Sequence, residues 1–172
     1  MHYTGTIWRP PYESGSLLLE AAAGCTHHRC KFCTLYDELP FRFRLSPLED
    51  IEADLAEAQE LLRGQLVQRV FLVGANPFAL QTERLKAIAG RIRKYFPECR
   101  TIGCFARVTD VGRKTDEALR ELRRLGYDGL TIGVETGYDP ALLFMDKGYQ
   151  ARDIVERSGV KNGIAVVYSH HT

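Results

Sequence analysis

The sequence predicts an α/β fold in which a parallel sheet carries helices on its outer side. Three observations support that class. Short apolar runs of strand length alternate with amphipathic stretches of helical period along most of the chain. Hairpin signals are few, so the strands are expected to be joined by helical crossovers and to run parallel. Right-handed crossovers would bring the carboxyl end of every strand to one rim, and the residues just past each strand hold much of the chain's unusual polar chemistry.

Residues 1–16 are polar and punctuated by Gly5, Pro10, Pro11 and Gly15, which predicts an extended lead-in ahead of a core domain over residues 17–172. The apolar run Leu17–Ala23 is the first strand. Phe41–Leu45 alternates and reads as a strand-like arm. Ser46, Pro47 and Glu49 fit a capping box with proline at the first helical position. Ile51, Leu55, Ala58 and Leu62 then line one helical face, and Gly64 stops it. Arg69–Val73 is a second strand ending at Gly74, followed by a helix from about Thr82 to Phe96, with Pro97 beyond its end. Thr101–Phe105 is the third strand. Thr115 caps the next helix and Gly126 ends it. Gly129–Val134 is the fourth strand. A short helix opens at Asp139 and Pro140 and closes at Gly148; another covers Ala151–Val160, and Ile164–Tyr168 is a fifth strand.

With 172 residues, 45% hydrophobic and 26% charged, the chain falls among ordinary globular domains. A formal net charge of +1 encodes no broad pull toward nucleic acid or anionic lipid. No apolar run approaches the roughly 20 residues that span a bilayer, and the N-terminus does not read as a signal peptide. Five cysteines, three of them crowded into one loop, argue against a disulfide framework and for a reducing cytoplasm.

Those three are Cys25, Cys30 and Cys33, spaced C-x4-C-x2-C directly after the first strand. Thiolates closing on a short loop suit zinc, copper(I) or an iron–sulfur cluster, and ligands at the carboxyl end of a first parallel strand lie where such folds keep their chemistry. Alternatives stay open on the residues alone. Structural zinc would take His27, His28, His170 or His171 as a fourth ligand. A ferredoxin-type 2Fe–2S loop would need Cys99 or Cys104, both of which read better as buried, inert thiols. Other rim residues are Gly74, Ala75, Asn76, Arg107 and Glu135, and Arg107 with Asp110 also reads as a plain salt bridge. Strand alternation with Glu135 inward puts Thr131 and Gly133 inward too, with Leu130, Ile132 and Val134 under the helices. Arg107 inward likewise places Phe105 inward and Cys104 outward.

The stretch Gly24–Tyr36, with the strand–helix units after it, resembles the radical S-adenosylmethionine (radical SAM) superfamily over about residues 1–157, closest to members with C-x4-C-x2-C. The resemblance implies an incomplete (β/α) barrel, a partial TIM-like fold. It implies a 4Fe–4S cluster on Cys25, Cys30 and Cys33, with the fourth iron left to S-adenosylmethionine, whose reductive cleavage gives a 5′-deoxyadenosyl radical. Phe32 matches an aromatic that lies near the adenine. Gly74, Ala75 and Asn76 stand where many members have Gly-Gly-Glu against the methionine amino group, with Asn76 replacing the acid. Glu135 matches an acidic position that meets the ribose or methionyl end, and Arg107 joins the cofactor-binding set on the rim. The implied partners are an unidentified, small-molecule type of substrate and a flavodoxin- or ferredoxin-type electron donor, with neither nucleic acid nor membrane. A sixth strand–helix unit is missing and Val160–Thr172 fits the pattern poorly, so a C-terminally truncated core is expected, and a non-catalytic metal-binding relative is the alternative reading.

Overall fold

In this computed structural model, which describes residues 1–158, four parallel strands form one sheet in the order β1 (Leu17–Glu20), β4 (Arg69–Val73), β5 (Thr101–Ala106) and β6 (Tyr127–Ile132). Each step along the sheet is to the next sheet strand in sequence, as successive crossovers on one side of a barrel wall require. The helices α1 (Leu48–Leu61), α2 (Thr82–Tyr95) and α4 (Asp116–Arg124) fill the crossovers. Short helices α3 (Val108–Gly112), α5 (Asp139–Phe144) and α6 (Ala151–Ser158) follow β5 and β6. The expected fifth strand, Ile164–Tyr168, and the candidate ligands His170 and His171 lie outside the described residues.

Strand alternation divides the sheet into two faces. Val70, Leu72, Ile102 and Cys104 pack on the helix side with Ile51, Leu55, Leu85, Ile88 and Ile92, and Leu130 and Ile132 join them. On the other face Phe71 and Phe105 meet edge to face, ring centroids 5.1 Å apart. The expected placements of Phe105, Cys104, Leu130 and Ile132 therefore agree with the structure.

The lead-in is tied down along its length. Asp54, buried on α1, accepts hydrogen bonds from the His2 backbone and ring, both at 2.7 Å. Glu20 accepts from the Thr4 backbone at 2.6 Å. A 3-10 turn at Pro11–Glu13 brings Glu13 against the face opposite the helices, where Arg69 grips its carboxylate through Nε at 2.8 Å and Nη2 at 2.7 Å. Arg69 also reaches Asp128 at 2.7 Å and Thr101 at 2.9 Å. A Cβ on Gly103 or Gly129 would come within 2.8 Å of that guanidinium, so the two glycines make its berth across β5 and β6.

Several boundaries differ from the sequence reading. The first strand does not run to Ala23: the chain leaves the sheet after Glu20, whose carboxylate is drawn to Thr4 and Ser46, and Ala22–Gly24 (β2) pairs antiparallel with Phe43–Leu45 (β3). The capping box at Ser46 does not form, because the Ser46 hydroxyl donates to Glu20 at 3.2 Å and Pro47 takes the N-cap position. The fourth sheet strand sits two residues earlier than expected, its start fixed by the pairing of Ile102 with Tyr127. Thr115 caps α4 as read, accepting from the Ala118 amide at 3.2 Å.

Candidate metal centre

The ribbon of β2 and β3 launches the cysteine loop. Gly24 has φ +77°, and a Cβ there would stand 2.2 Å from the Arg42 carbonyl oxygen, so no other residue fits. The Cys25 amide donates to that same carbonyl at 2.8 Å, and the Cys33 amide donates to the Cys30 carbonyl at 3.0 Å, closing the C-x2-C turn. All three thiols are free and half-buried. Burial pushes the Cys30 thiol up, with Cys33 and Cys25 adding to it, while Lys147 and Arg107 pull the other way. Burial, reinforced by Cys25 and Cys33, pushes Tyr36 up to about 12. The three sulfurs thus share one electrostatic neighbourhood. Among the described residues no three His, Cys, Asp or Glu side chains are gathered to hold a single metal ion. Ligands of a multi-iron cluster sit on separate irons, so three thiols spread along one loop are a donor set that such a cluster can take.

Three tethers hold this loop to the rim. Asn76, 1% exposed, donates to Thr26 Oγ1 at 2.6 Å and accepts from the Thr26 amide at 3.2 Å. Its amide also donates to Asp110 Oδ2 at 2.9 Å. The Asn76 side chain is therefore engaged within the protein on both its oxygen and its nitrogen. The His27 ring donates through Nε2 to the Asp146 carbonyl at 2.5 Å, and the Lys31 amide donates to the Met145 carbonyl at 3.1 Å. Burial holds His27 below the ordinary imidazole range despite that hydrogen bond. His28 pairs weakly with Asp37 at 3.4 Å.

Gly74 has φ +117°, and its missing Cβ would lie 2.2 Å from the Ala22 carbonyl oxygen. The turn Gly74-Ala75-Asn76 is thereby pressed against the start of the cysteine loop. Arg107 and Asp110 do not form a side-chain salt bridge. Asp110 instead accepts the Arg107 backbone N–H at 2.8 Å, capping α3, and the guanidinium donates to Thr109 at 3.3 Å and to the Lys147 carbonyl. Asp110 Oδ1 is buried without a partner.

Glu135 lies beyond β6 rather than at its end, in a left-handed conformation at φ +67°. Its carboxylate accepts from Lys147 Nζ at 3.1 Å, and that ammonium lies 5.5 Å from the centre of the Phe32 ring. Phe32, Arg107 and Glu135, distant in sequence, are thus linked through Lys147. Sequence reasoning missed Lys147. It treated Gly148 only as a helix stop, although a lysine just before a left-handed glycine (φ +75°) was there to be read. Cys99 and Cys104 are buried in the helix-side core, where burial pushes both thiols up, and neither reaches the loop. That placement removes the 2Fe–2S reading for these two residues.

The family model described as the Radical SAM superfamily matches residues 19–160. Among solved structures, the chain is similar to the cobalamin-dependent S-adenosylmethionine radical enzyme OxsB with aqua-cobalamin and S-adenosylmethionine bound, at 22% identity over 83% of this chain and a TM-score of 0.64. Coproporphyrinogen III oxidase (HemN) from Escherichia coli, a radical SAM enzyme, is similar at 16% identity over 84% of this chain, with a TM-score of 0.59. The chain spans 21% of the first of those chains and 34% of the second. No curated protein matches it.

Proposed function

Because this chain belongs to the radical SAM superfamily, we propose that it binds a 4Fe–4S cluster through Cys25, Cys30 and Cys33 and supports reductive cleavage of S-adenosylmethionine. The observation that carries this reading is the half-buried loop of three free thiols at the carboxyl end of the sheet. Three protein ligands with one position left open keep a metal centre reactive rather than structural. The bound cluster supplies the electron that breaks the sulfonium bond, and an external flavodoxin- or ferredoxin-type donor would have to supply it in turn.

The chain's own residues divide the remaining work. Gly74 and Ala75 present backbone to the methionyl end of the ligand, since small residues allow close approach. Asn76 holds the cysteine loop from below through Thr26 rather than offering a free side chain. Glu135 supplies the acidic group on the rim, and Phe32, half-exposed beside Cys33, supplies an apolar face for the adenine. Arg107 braces the turn after α5 through the Lys147 carbonyl.

Anaerobic reconstitution with iron and sulfide tests the reading. A brown protein is expected whose reduced paramagnetic signal changes when S-adenosylmethionine is added. Serine at Cys25, Cys30 or Cys33 should each abolish it, while serine at Cys99 should not. Accumulation of 5′-deoxyadenosine and methionine under reductant would establish turnover. A colourless protein holding one zinc per chain would refute the proposal.

A further inference from the structure

Lys147 is a charged side chain that is 6% exposed, and among the described residues no other lysine is buried. Burying an ammonium is costly unless something compensates. Here its ammonium stands in a three-sided box: the Glu135 carboxylate at 3.1 Å, the Phe32 ring centre at 5.5 Å and the Tyr149 ring centre at 5.7 Å. The Tyr149 hydroxyl is itself fixed, donating to the Gly133 carbonyl at 2.8 Å. An ammonium has three donors, and among the described residues its one hydrogen-bond acceptor is Glu135.

The backbone around Lys147 is bound to the cysteine loop on both sides. Met145 and Asp146 offer their carbonyls to Lys31 and His27, and a Cβ on Gly148 would stand 3.0 Å from the His27 ring. Asp146 accepts φ +54° to make this turn. Lys147 and Arg107 are the cations whose field reaches Cys30. Arg107 directs part of its guanidinium to the Lys147 carbonyl, whereas the Lys147 charge is set against an aromatic ring belonging to the loop itself.

We propose that Lys147 is the fixed counter-cation of the cysteine pocket, a positioning residue that offsets the negative charge of a thiolate-bound cluster and orients Glu135 toward the same space. This rests on the cluster reading above and adds a role for a residue outside the ligand set. A cation held close to a cluster stabilises its more negative, reduced form, since the field of a buried charge is weakly screened. Loss of the cation therefore lowers the midpoint potential. Loss of the carboxylate that partly neutralises it raises the potential.

The test is an anaerobic redox titration of the reconstituted chain without S-adenosylmethionine, alongside iron and sulfide counts. Lys147→Met should give a more negative midpoint than wild type, Lys147→Arg should restore most of the shift, and Glu135→Gln should move it to more positive values. An unchanged midpoint in Lys147→Met with full cluster content overturns the inference, as does a shift of the same sign in Lys147→Met and Glu135→Gln. If Lys147→Met does not fold by circular dichroism, Glu135→Gln decides: an unmoved midpoint there overturns it. A wild-type chain that assembles no cluster overturns the functional proposal and this inference together, whereas a wild-type cluster insensitive to both substitutions overturns only the inference.

Discussion

Replacing Arg69 with methionine strips the Glu13 carboxylate, 2% exposed, of the guanidinium that holds it through two hydrogen bonds. Among the described residues only Ser16 then remains as a side-chain donor to that carboxylate. Removing one partner of a buried pair costs about 3–5 kcal/mol, because the other charge is left uncompensated. The upper end is capped by an escape. Glu13 can take up a proton, and protonating a carboxyl of ordinary pKa near 4.3 at pH 7 costs about 3.7 kcal/mol at 1.36 kcal/mol per pH unit. The bridge from Arg69 to Asp128 joins two side chains that are each 29% exposed and adds at most about 1 kcal/mol. We therefore expect a loss of about 3–4 kcal/mol at pH 7, measured by urea unfolding followed by circular dichroism.

The pH dependence gives the sharper reading. In the native protein, burial pushes Glu13 up, but the hydrogen bonds from Arg69 and Ser16 and the Arg69 charge outweigh it and hold the carboxyl below its ordinary range. A depressed folded value means that this stabilisation is present above the unfolded pKa and is lost as pH falls through the folded one. Without Arg69, burial acts unopposed by that partner and the folded value rises, so lowering the pH favours the folded variant. The gap between wild type and Arg69→Met should accordingly narrow between pH 7 and pH 4.5. Adding Glu13→Gln to Arg69→Met should recover part of the loss, since removing both charges is far less costly than orphaning one. A cost below about 1 kcal/mol at pH 7, or a gap that does not close on acidification, would refute the reasoning.

Gly74→Ala should destabilise the chain by about 3 kcal/mol in the same assay, of which left-handed strain supplies roughly 1–2 and the contact with the Ala22 carbonyl the rest. A loss under about 1 kcal/mol would show that the two strand ends do not press together as described. Asn76→Ala should cost about 2 kcal/mol, because it removes a donor from an Asp110 carboxylate whose other oxygen already lacks a partner; the Thr26 amide should then exchange hydrogen faster, and an unchanged exchange rate would contradict the tether. Combining Arg69→Met with Asn76→Ala should give additive losses within about 0.5 kcal/mol. Arg69 opens β4 and Asn76 lies in the turn past its other end. The strand's own length, at about 3.3 Å per residue, sets its ends roughly 13 Å apart, and a larger deviation from additivity would mean that the two ends of the sheet are coupled.

What the sequence made legible follows from the range of the forces that decide it. The strands and outer helices were read from hydrophobic period, and the alternation that turned Phe105 one way and Cys104 the other survived intact because a one-residue slip would have buried the wrong face. Local rules failed where a distant partner outbid them. Ser46 had the right neighbours for a capping box, yet its hydroxyl went to Glu20, a residue 26 positions away that needed a donor in the interior. Asp110 looked like a salt-bridge partner for Arg107 and became instead a cap whose other contact, Asn76, is 34 positions off. The same principle explains why Lys147 stayed hidden while the cysteines did not. A C-x4-C-x2-C loop advertises its chemistry in nine residues, whereas a counter-cation is defined only by what surrounds it, here a ring from the loop and a carboxylate from the turn after β6. The polar groups that finish such a site come from whichever rim loop reaches it, so their spacing in sequence carries no pattern. They become recognisable only as charges whose burial the rest of the chain has compensated.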